Sequence, residues 1–378
     1  MVAAADIIRT KTTGFVGRDY VFTAVDKFLE DHDRGFLVLE GDPGAGKTAI
    51  LAEYIRRTHC VGHFNLRAQG LNTAGHFVKS LSEQFVARYG THGAGGADGG
   101  EAVPRMLSEV RAILPDGIPL VVAVDALDEA EAPPGAANPL YLPGILDKGT
   151  YLVLTTRRNE TALHVDGPFQ KIDLKDFHAE TMADVRCHLE NRLSQGALAR
   201  RVEESHLSAG EVVARLSEMS EGNFMYLYYT LIDIARSPGL DLDRFLRELP
   251  QGLENYYRMH WQSMGMTAAE APTVNAWILY VLCEAEAPLP AWIISSILAP
   301  VTTRVSPASV QQCLTQWLPF LHRDVSTSPA KYSLYHASFR DFLHRHDVVA
   351  NAGMDLTNVR AAIAELLWQH MMGDTEDT

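Results

Sequence analysis

The stretch Gly-Asp-Pro-Gly-Ala-Gly-Lys-Thr, residues 41–48, holds the densest chemistry in the chain. Its spacing is G-x-x-x-x-G-K-[ST]. Gly41, Gly44 and Gly46 let the backbone curl so that successive N–H groups face an anion, and a helix start beyond them adds a favourable dipole. Lys47 would reach the β- and γ-phosphates of a nucleotide, and the Thr48 hydroxyl would reach Mg2+. The loop residues Pro43, Ala45 and Ala49 complete the candidate contact set. A buried apolar run precedes the loop, and "TAILAEYIRR" (48–57) reads as a helix after it, the context such a loop needs.

A carboxylate for the metal stands in "PLVVAVDALDEA", residues 119–130. The apolar run delivers Asp125 at its C-terminal end, where ligands collect in open α/β sheets. A carboxylate there can hold Mg2+ directly or through water. Asp128 and Glu129 follow, and one of them can orient or deprotonate an attacking water, with Glu129 the preferred base. The competing reading is a set of solvated loop carboxylates. "TTRR" (155–158) places Arg157 and Arg158 at the same sheet edge. Arg157 there can read a γ-phosphate through charge-assisted hydrogen bonds, or it can be an ordinary ion-pair arginine.

These groups need a scaffold, and residues 35–174 supply one. Short apolar runs ("GFLVLE" 35–40, "VGHFNL" 61–66, "PLVVAVD" 119–125, "TYLVLTTR" 150–157, "FQKIDL" 169–174) alternate with helical patterns. Continuous β-rich runs without polar alternation predict strands buried on both faces, hence a parallel sheet covered by helices. Beyond residue 175 helical spacing dominates, as in Met182, Val185 and Leu189. "GTHGAGGADGGEAVP" (90–104) reads as a flexible loop between helices and "EAPPGAANPLYLP" (131–143) as a second surface loop.

The composition is that of an ordinary globular protein, with 47% hydrophobic and 21% charged residues among 378. Thirty-three basic and 47 acidic residues give a net charge of −14, which argues against a broad nucleic-acid surface. Four scattered cysteines without a CxxC pair suit a reducing compartment. "HCVGH" (59–63) offers three potential metal ligands and lacks a fourth. The opening "MVAAADIIRTK" lacks the apolar core expected of a signal peptide, and Glu284, Glu286, Pro288 and Pro290 interrupt the most apolar later segment, so no membrane span is expected. The expectation is a cytoplasmic protein.

The pattern "VDALDEA", with a small residue after Asp125 and a DE pair two residues further on, resembles the NACHT branch of the STAND nucleotide switches. The likeness continues along the chain. "GFVGRD" (14–19) resembles the segment whose backbone and arginine lie near the adenine, which implicates Val16, Gly17 and Arg18. "ADVRCHLENRL" (183–193) resembles the first helix after the nucleotide domain. "SEGNFMYLYY" (220–229) stands where relatives often carry G-x-P, and here Phe224 follows Asn223 with no proline. "LPQGLENYYR" (249–258) is similar to the connector into a winged-helix domain. "ILYVLCEAEAPLPAWIISSIL" (278–298) and "YSLYHASFRDFL" (332–343) resemble that domain's start and end.

The resemblance covers roughly residues 14–345 and implies an α/β P-loop NTPase followed by a helical domain and a winged-helix domain. The boundaries it implies are 1–175, 176–250 and 251–345, with 346–378 a helical segment leading toward a missing sensor. It also implies ATP or ADP with Mg2+ as ligands, and His336 as a contact to the ADP β-phosphate from the winged helix. ADP would hold a closed monomer, ATP would favour self-oligomerisation, and slow hydrolysis would reset the switch, in immune or antiphage-type defence or regulated cell death. Effector and sensor parts would lie elsewhere, on partners or on a longer chain from which this one was cut. The alternatives are an ATP-using enzyme such as a small-molecule kinase, and an AAA-type ATPase. Ser338 and Asp341 have capping-box spacing, which predicts a helix from about Ser338 with His336 on the loop before it.

Overall fold

The computed structural model describes residues 4–93, 99–158, 160, 163–237, 239–267, 272–302 and 305–373. The chain divides into two compact units, residues 1–67 with 71–249, and residues 68–70 with 250–378.

The first unit opens with helices α1 (Ala4–Thr12) and α2 (Asp19–Asp31), strand β1 (Gly35–Glu40) and helix α3 (Lys47–Thr58). Then come β2 (Val61–Phe64), α4 (Ala74–Tyr89), α5 (Gly99–Ile113), β3 (Leu120–Asp125), β4 (Thr150–Thr156) and β5 (Phe169–Asp173). It closes with α6 (His178–Leu193), α7 (Gly196–Glu204), α8 (Ala209–Ser220), α9 (Phe224–Arg236) and α10 (Leu242–Glu248). Among the described residues the strands form one five-stranded sheet in the order β2-β3-β4-β1-β5, and every pairing is parallel. The chain runs from β1 out to the edge, returns through β3 and β4 to β1, then crosses to β5 on the far side of β1.

The apolar runs behave as expected of strands covered on both faces. Phe36, Val38, Val122, Val124, Leu152 and Leu154 pack with Phe77 and Leu81 of α4 and Met106 and Val110 of α5. The alternate residues Leu37, Leu39, Val121, Ala123 and Val153 pack with Val25 and Phe28 of α2 and Ile50 and Leu51 of α3. Each such side chain contributes roughly 1.5–3 kcal/mol on full burial, so the sheet edge that carries the loops rests on a stiff base. Strand β5, at one edge of the sheet, differs from its reading: only Ile172 is buried along it.

Two loop readings are corrected. The glycine-rich segment becomes helix at Gly99, and Pro104 lies inside that helix; residues 94–98 fall outside the described set. Ala102, Val103, Met106, Leu107 and Val110 are all buried, and burying that stripe outweighs glycine's weak helix propensity. In 131–143, Leu140 and Leu142 are buried in the same core, so that loop is partly interior.

The second unit contains α11 (Leu253–Ser263), α12 (Val274–Glu284), β6 (Leu289–Pro290), α13 (Ala291–Leu298), α14 (Pro307–Gln316), β7 (Leu321–Asp324) and β8 (Lys331–Leu334). Helices α15 (Ala337–His344), α16 (His346–Asn351) and α17 (Leu356–Gly373) follow. The strands form a small antiparallel sheet in the order β6-β8-β7. Its core is aromatic: Phe339 stacks on Trp317 and Phe320, with Tyr257 against Phe339 and Phe342. No helix among the described residues is long and apolar enough to cross a membrane.

Candidate functional site

Because β4 lies between β1 and β3, three neighbouring strand ends bring the loop 41–48, Arg157 and Asp125 to one sheet edge. The loop turns through left-handed conformations at Gly44 (φ 85°) and Gly46 (φ 96°), which favour glycine. Gly46 is the N-cap of α3 and makes no side-chain capping bond, so the helix's first N–H groups are not closed off by a cap side chain. Lys47 donates through Nζ to the carbonyls of Gly41 (2.6 Å) and Asp42 (3.2 Å). Burial pulls the Lys47 pKa down, while Asp128 and Asp125 oppose that shift.

Asp125 is 2% exposed at the end of β3. It accepts from Thr155 Oγ1 at 2.5 Å, Thr155 Oγ1 accepts from the Ala126 N–H, and the Thr48 hydroxyl lies nearby. Burial raises the Asp125 pKa, and the two hydroxyls and Lys47 act against it. The donor set suits a hard cation: a buried carboxylate stands near the Thr48 hydroxyl.

Asp128 and Arg157 form a tight pair. Arg157 Nε lies 2.9 Å from Asp128 Oδ2, with the two side chains 16% and 4% exposed, and the Arg157 N–H donates to Asp128 Oδ1 at 3.1 Å. Of the two candidate bases, Asp128 thus serves an arginine. Glu129 accepts from the Arg67 N–H at 3.1 Å, and burial pushes its pKa up to about 7. Arg158 turns to Asp173 (2.8 Å) and to Asp42 of the loop (3.1 Å).

The "GFVGRD" segment wraps against the same loop. Arg18 is 3% exposed and takes a left-handed backbone (φ 64°), which an arginine adopts only when its surroundings over-determine it. Its N–H donates to Asp184 of α6, and its guanidinium donates to the Ala45 carbonyl (2.8 Å), Thr181 (3.0 Å) and Tyr20 (2.6 Å). It also lies 4.9 Å from the Phe224 ring centroid. A Cβ at Gly17 would run into Asp184. Val16, Arg18, Gly46 and Ala49 line a cavity of about 100 Å³ together with Lys11, Phe15, His188 and Phe224. A second cavity of about 360 Å³ is lined by Arg18, Asp42, Arg158, Lys175, His178 and Asn223, among others.

His336 belongs to the second unit. It is itself the N-cap of α15: its Nδ1 accepts from the Ser338 N–H at 3.1 Å, and the helix starts at Ala337. The expected Ser338 box gives way to this cap, because the Ser338 hydroxyl meets Tyr257 (2.9 Å) and His336 Nδ1 (2.7 Å). With Nδ1 accepting a backbone N–H, a neutral imidazole carries its proton on Nε2, a donor. The "HCVGH" residues are structural in character: His63 packs edge-on against Phe77, and burial lowers its pKa to about 4.

Thr155, Asp184, Thr181 and Lys11 escaped sequence reading. Thr155 carried one faint signal, a hydroxyl ending an apolar strand, whereas Asp184 and Thr181 join the site only through Arg18, more than 160 residues away in sequence, and Lys11 only by lining the small cavity.

The parallel sheet, with its glycine-rich loop between first strand and helix, defines an α/β phosphate-loop arrangement. No family model and no curated protein matches the chain. A STAND protein with a tetratricopeptide-repeat sensor from Pyrococcus horikoshii is similar at 15% identity and a TM-score of 0.40, over 89% of this chain and 44% of that one. The chain thus spans less than half of that protein's length. A RuvB variant from Thermotoga maritima is similar at 9% identity and a TM-score of 0.29, over 86% of this chain and 94% of that one. The Thermotoga RuvB Holliday junction branch migration motor gives 10% identity and a TM-score of 0.27, covering 87% and 96%.

Proposed function

We propose that the chain is an ATP/ADP-dependent switch of the STAND class, NACHT branch, working as a slow Mg2+-dependent ATPase. The observation that carries the reading is the joining of the phosphate loop to the helices that follow it. Carbonyls of the loop accept directly from Arg18, Asn223 and Phe224, and Arg18 is bound in turn to α6. A plain kinase has no need to tie its phosphate loop to a helical region beyond the sheet. A switch does, because a ligand shifts an equilibrium only through contacts that differ between two arrangements.

In this reading the loop N–H groups and Lys47 hold the phosphates, and Thr48 and Asp125 hold Mg2+. When bound, the cation would neutralise charge developing on the transferred phosphoryl group. Glu129, poised near neutrality, takes a proton from the attacking water. Asp128 holds Arg157 near the γ-phosphate. The small cavity beside Val16 and Ala49 takes the nucleoside. The second unit, with a three-stranded sheet among helices, is read as the winged helix whose His336 Nε2–H meets the ADP β-phosphate in a closed state. ATP would favour an open, self-associating state. A role in defence rests on analogy with the class.

The test is to denature the purified protein and identify the nucleotide it releases. Retained ADP supports the switch, while an empty site with brisk turnover supports a kinase or motor. Lys47→Ala should abolish retention, and normal ADP content in that variant would overturn the phosphate-site assignment.

A further inference from the structure

The loop's outward-facing carbonyls are held one after another. Asn223 Nδ2 donates to the Pro43 carbonyl (2.9 Å), the Phe224 N–H donates to the Gly44 carbonyl (3.0 Å), and Arg18 Nη2 donates to the Ala45 carbonyl (2.8 Å). In a planar trans peptide the C=O and the following N–H point in opposite directions. Fixing the Pro43 carbonyl toward the start of α9 therefore aims the Gly44 N–H away from it, and fixing the Ala45 carbonyl toward Arg18 aims the Gly46 N–H away from Arg18. The Ala45 N–H is used inside the loop, on the Asp42 carbonyl.

The Asn223 carboxamide splits its work. Its Oδ1 caps α9 by accepting from Met225 (3.0 Å) and Tyr226 (3.1 Å), leaving Nδ2 for the loop. Gly44 makes room for this approach, since a Cβ there would run into the carboxamide.

We infer that Asn223 is a positioning residue for phosphate binding, aiming the Gly44 N–H at the anion by anchoring the Pro43 carbonyl from the helical segment. The inference rests on the phosphate-site reading above. It also supplies the route by which nucleotide binding and docking of α9 strengthen each other, since linkage makes any such coupling reciprocal.

The two halves of the carboxamide can be separated. Asn223→Ser keeps a helix cap and loses the Nδ2 donor, and Asn223→Asp keeps the cap oxygens while setting an acceptor against the Pro43 carbonyl. Retained nucleotide is first stripped and its removal verified; fluorescent mant-ADP with Mg2+ is then titrated into wild type, both variants and Lys47→Ala, and amide hydrogen exchange is followed over residues 41–48 without nucleotide. Because the α9 cap survives, melting should fall by only about 1–6 °C in Asn223→Ser, the loss of one neutral hydrogen bond, and somewhat further in Asn223→Asp. Binding should weaken roughly 2- to 10-fold in Asn223→Ser, the range of one neutral hydrogen bond, and further in Asn223→Asp. Loop amides should exchange faster in both. A merely structural role would move melting temperature alone and leave the binding order of the two variants flat.

Wild-type affinity in both variants, alongside lost binding in Lys47→Ala, overturns the inference and spares the phosphate site. If wild type itself fails to bind mant-ADP, the phosphate-site reading fails. Loop exchange then still judges the anchor: unchanged rates in both variants refute it, and faster rates support it. Should Asn223→Ser fail to fold, Asn223→Asp alone carries both readouts.

Discussion

Replacing Arg157 with leucine should destabilise the first unit by about 3 kcal/mol. Arg157 and Asp128 are 16% and 4% exposed and meet at 2.9 Å, so the substitution leaves a buried carboxylate without its cation. Breaking such a pair costs roughly 3–5 kcal/mol. The lower end applies because Asp128 keeps the backbone N–H of position 157 at 3.1 Å. In a unit of this size each kcal/mol moves the melting temperature by roughly 2–4 °C, so the transition should drop by about 6–12 °C. The pair is then tested from the other side. Arg157→Leu combined with Asp128→Asn removes the orphaned charge and should recover about 1–2 kcal/mol relative to Arg157→Leu alone. Urea unfolding of the single and double variants, with and without Mg2+ and ADP, measures both quantities. A single variant within about 0.5 kcal/mol of wild type would refute the ion-pair reasoning, as would a double variant no better than the single.

Two further perturbations probe the site. With the Glu129 pKa raised to about 7 by burial, the side chain is neutral below that pH and a carboxylate above it. Hydrolysis should therefore rise through about pH 7, and Glu129→Gln should slow it roughly 100-fold or more while Mg2+-nucleotide retention persists; a flat pH profile would count against Glu129 as the base. The stability term has the matching sign: because the folded pKa is raised, Glu129 favours the fold below its unfolded pKa and loses that contribution as pH rises through about 7. His336→Leu removes the α15 cap, at a cost of about 1 kcal/mol, and should also speed nucleotide exchange. An exchange rate equal to wild type, measured on a variant that shows the expected stability loss, would confine His336 to capping.

Much of the scaffold was readable from order and spacing. The runs at 35–40, 119–125 and 150–157 appear as strands within a residue of their reading, because a strand buried on both faces must be apolar throughout. The loop 41–48 was legible for a related reason: its left-handed turns at Gly44 and Gly46 strongly favour glycine. Residues 99–104 were misread as loop because the glycines speak for a loop locally, and only packing of Gly99–Ile113 against the sheet makes the helix worthwhile. The capping box at Ser338 failed for a similar cause, since Tyr257, 81 residues away, claims the hydroxyl and leaves the cap to His336.

By itself, the sequence determined the parallel sheet, the phosphate loop at the end of its first strand and the carboxylate Asp125 at the end of β3. These follow from local rules of burial, periodicity and backbone freedom that act within a few residues. Tertiary structure alone decided the assignments among equals. It paired Asp128 with Arg157 and left Glu129 in a desolvated position near neutrality. It also brought Arg18 and Asn223 onto the carbonyls of the loop. Such choices depend on which strand ends become neighbours and which helix packs over them, and no spacing along the chain encodes that.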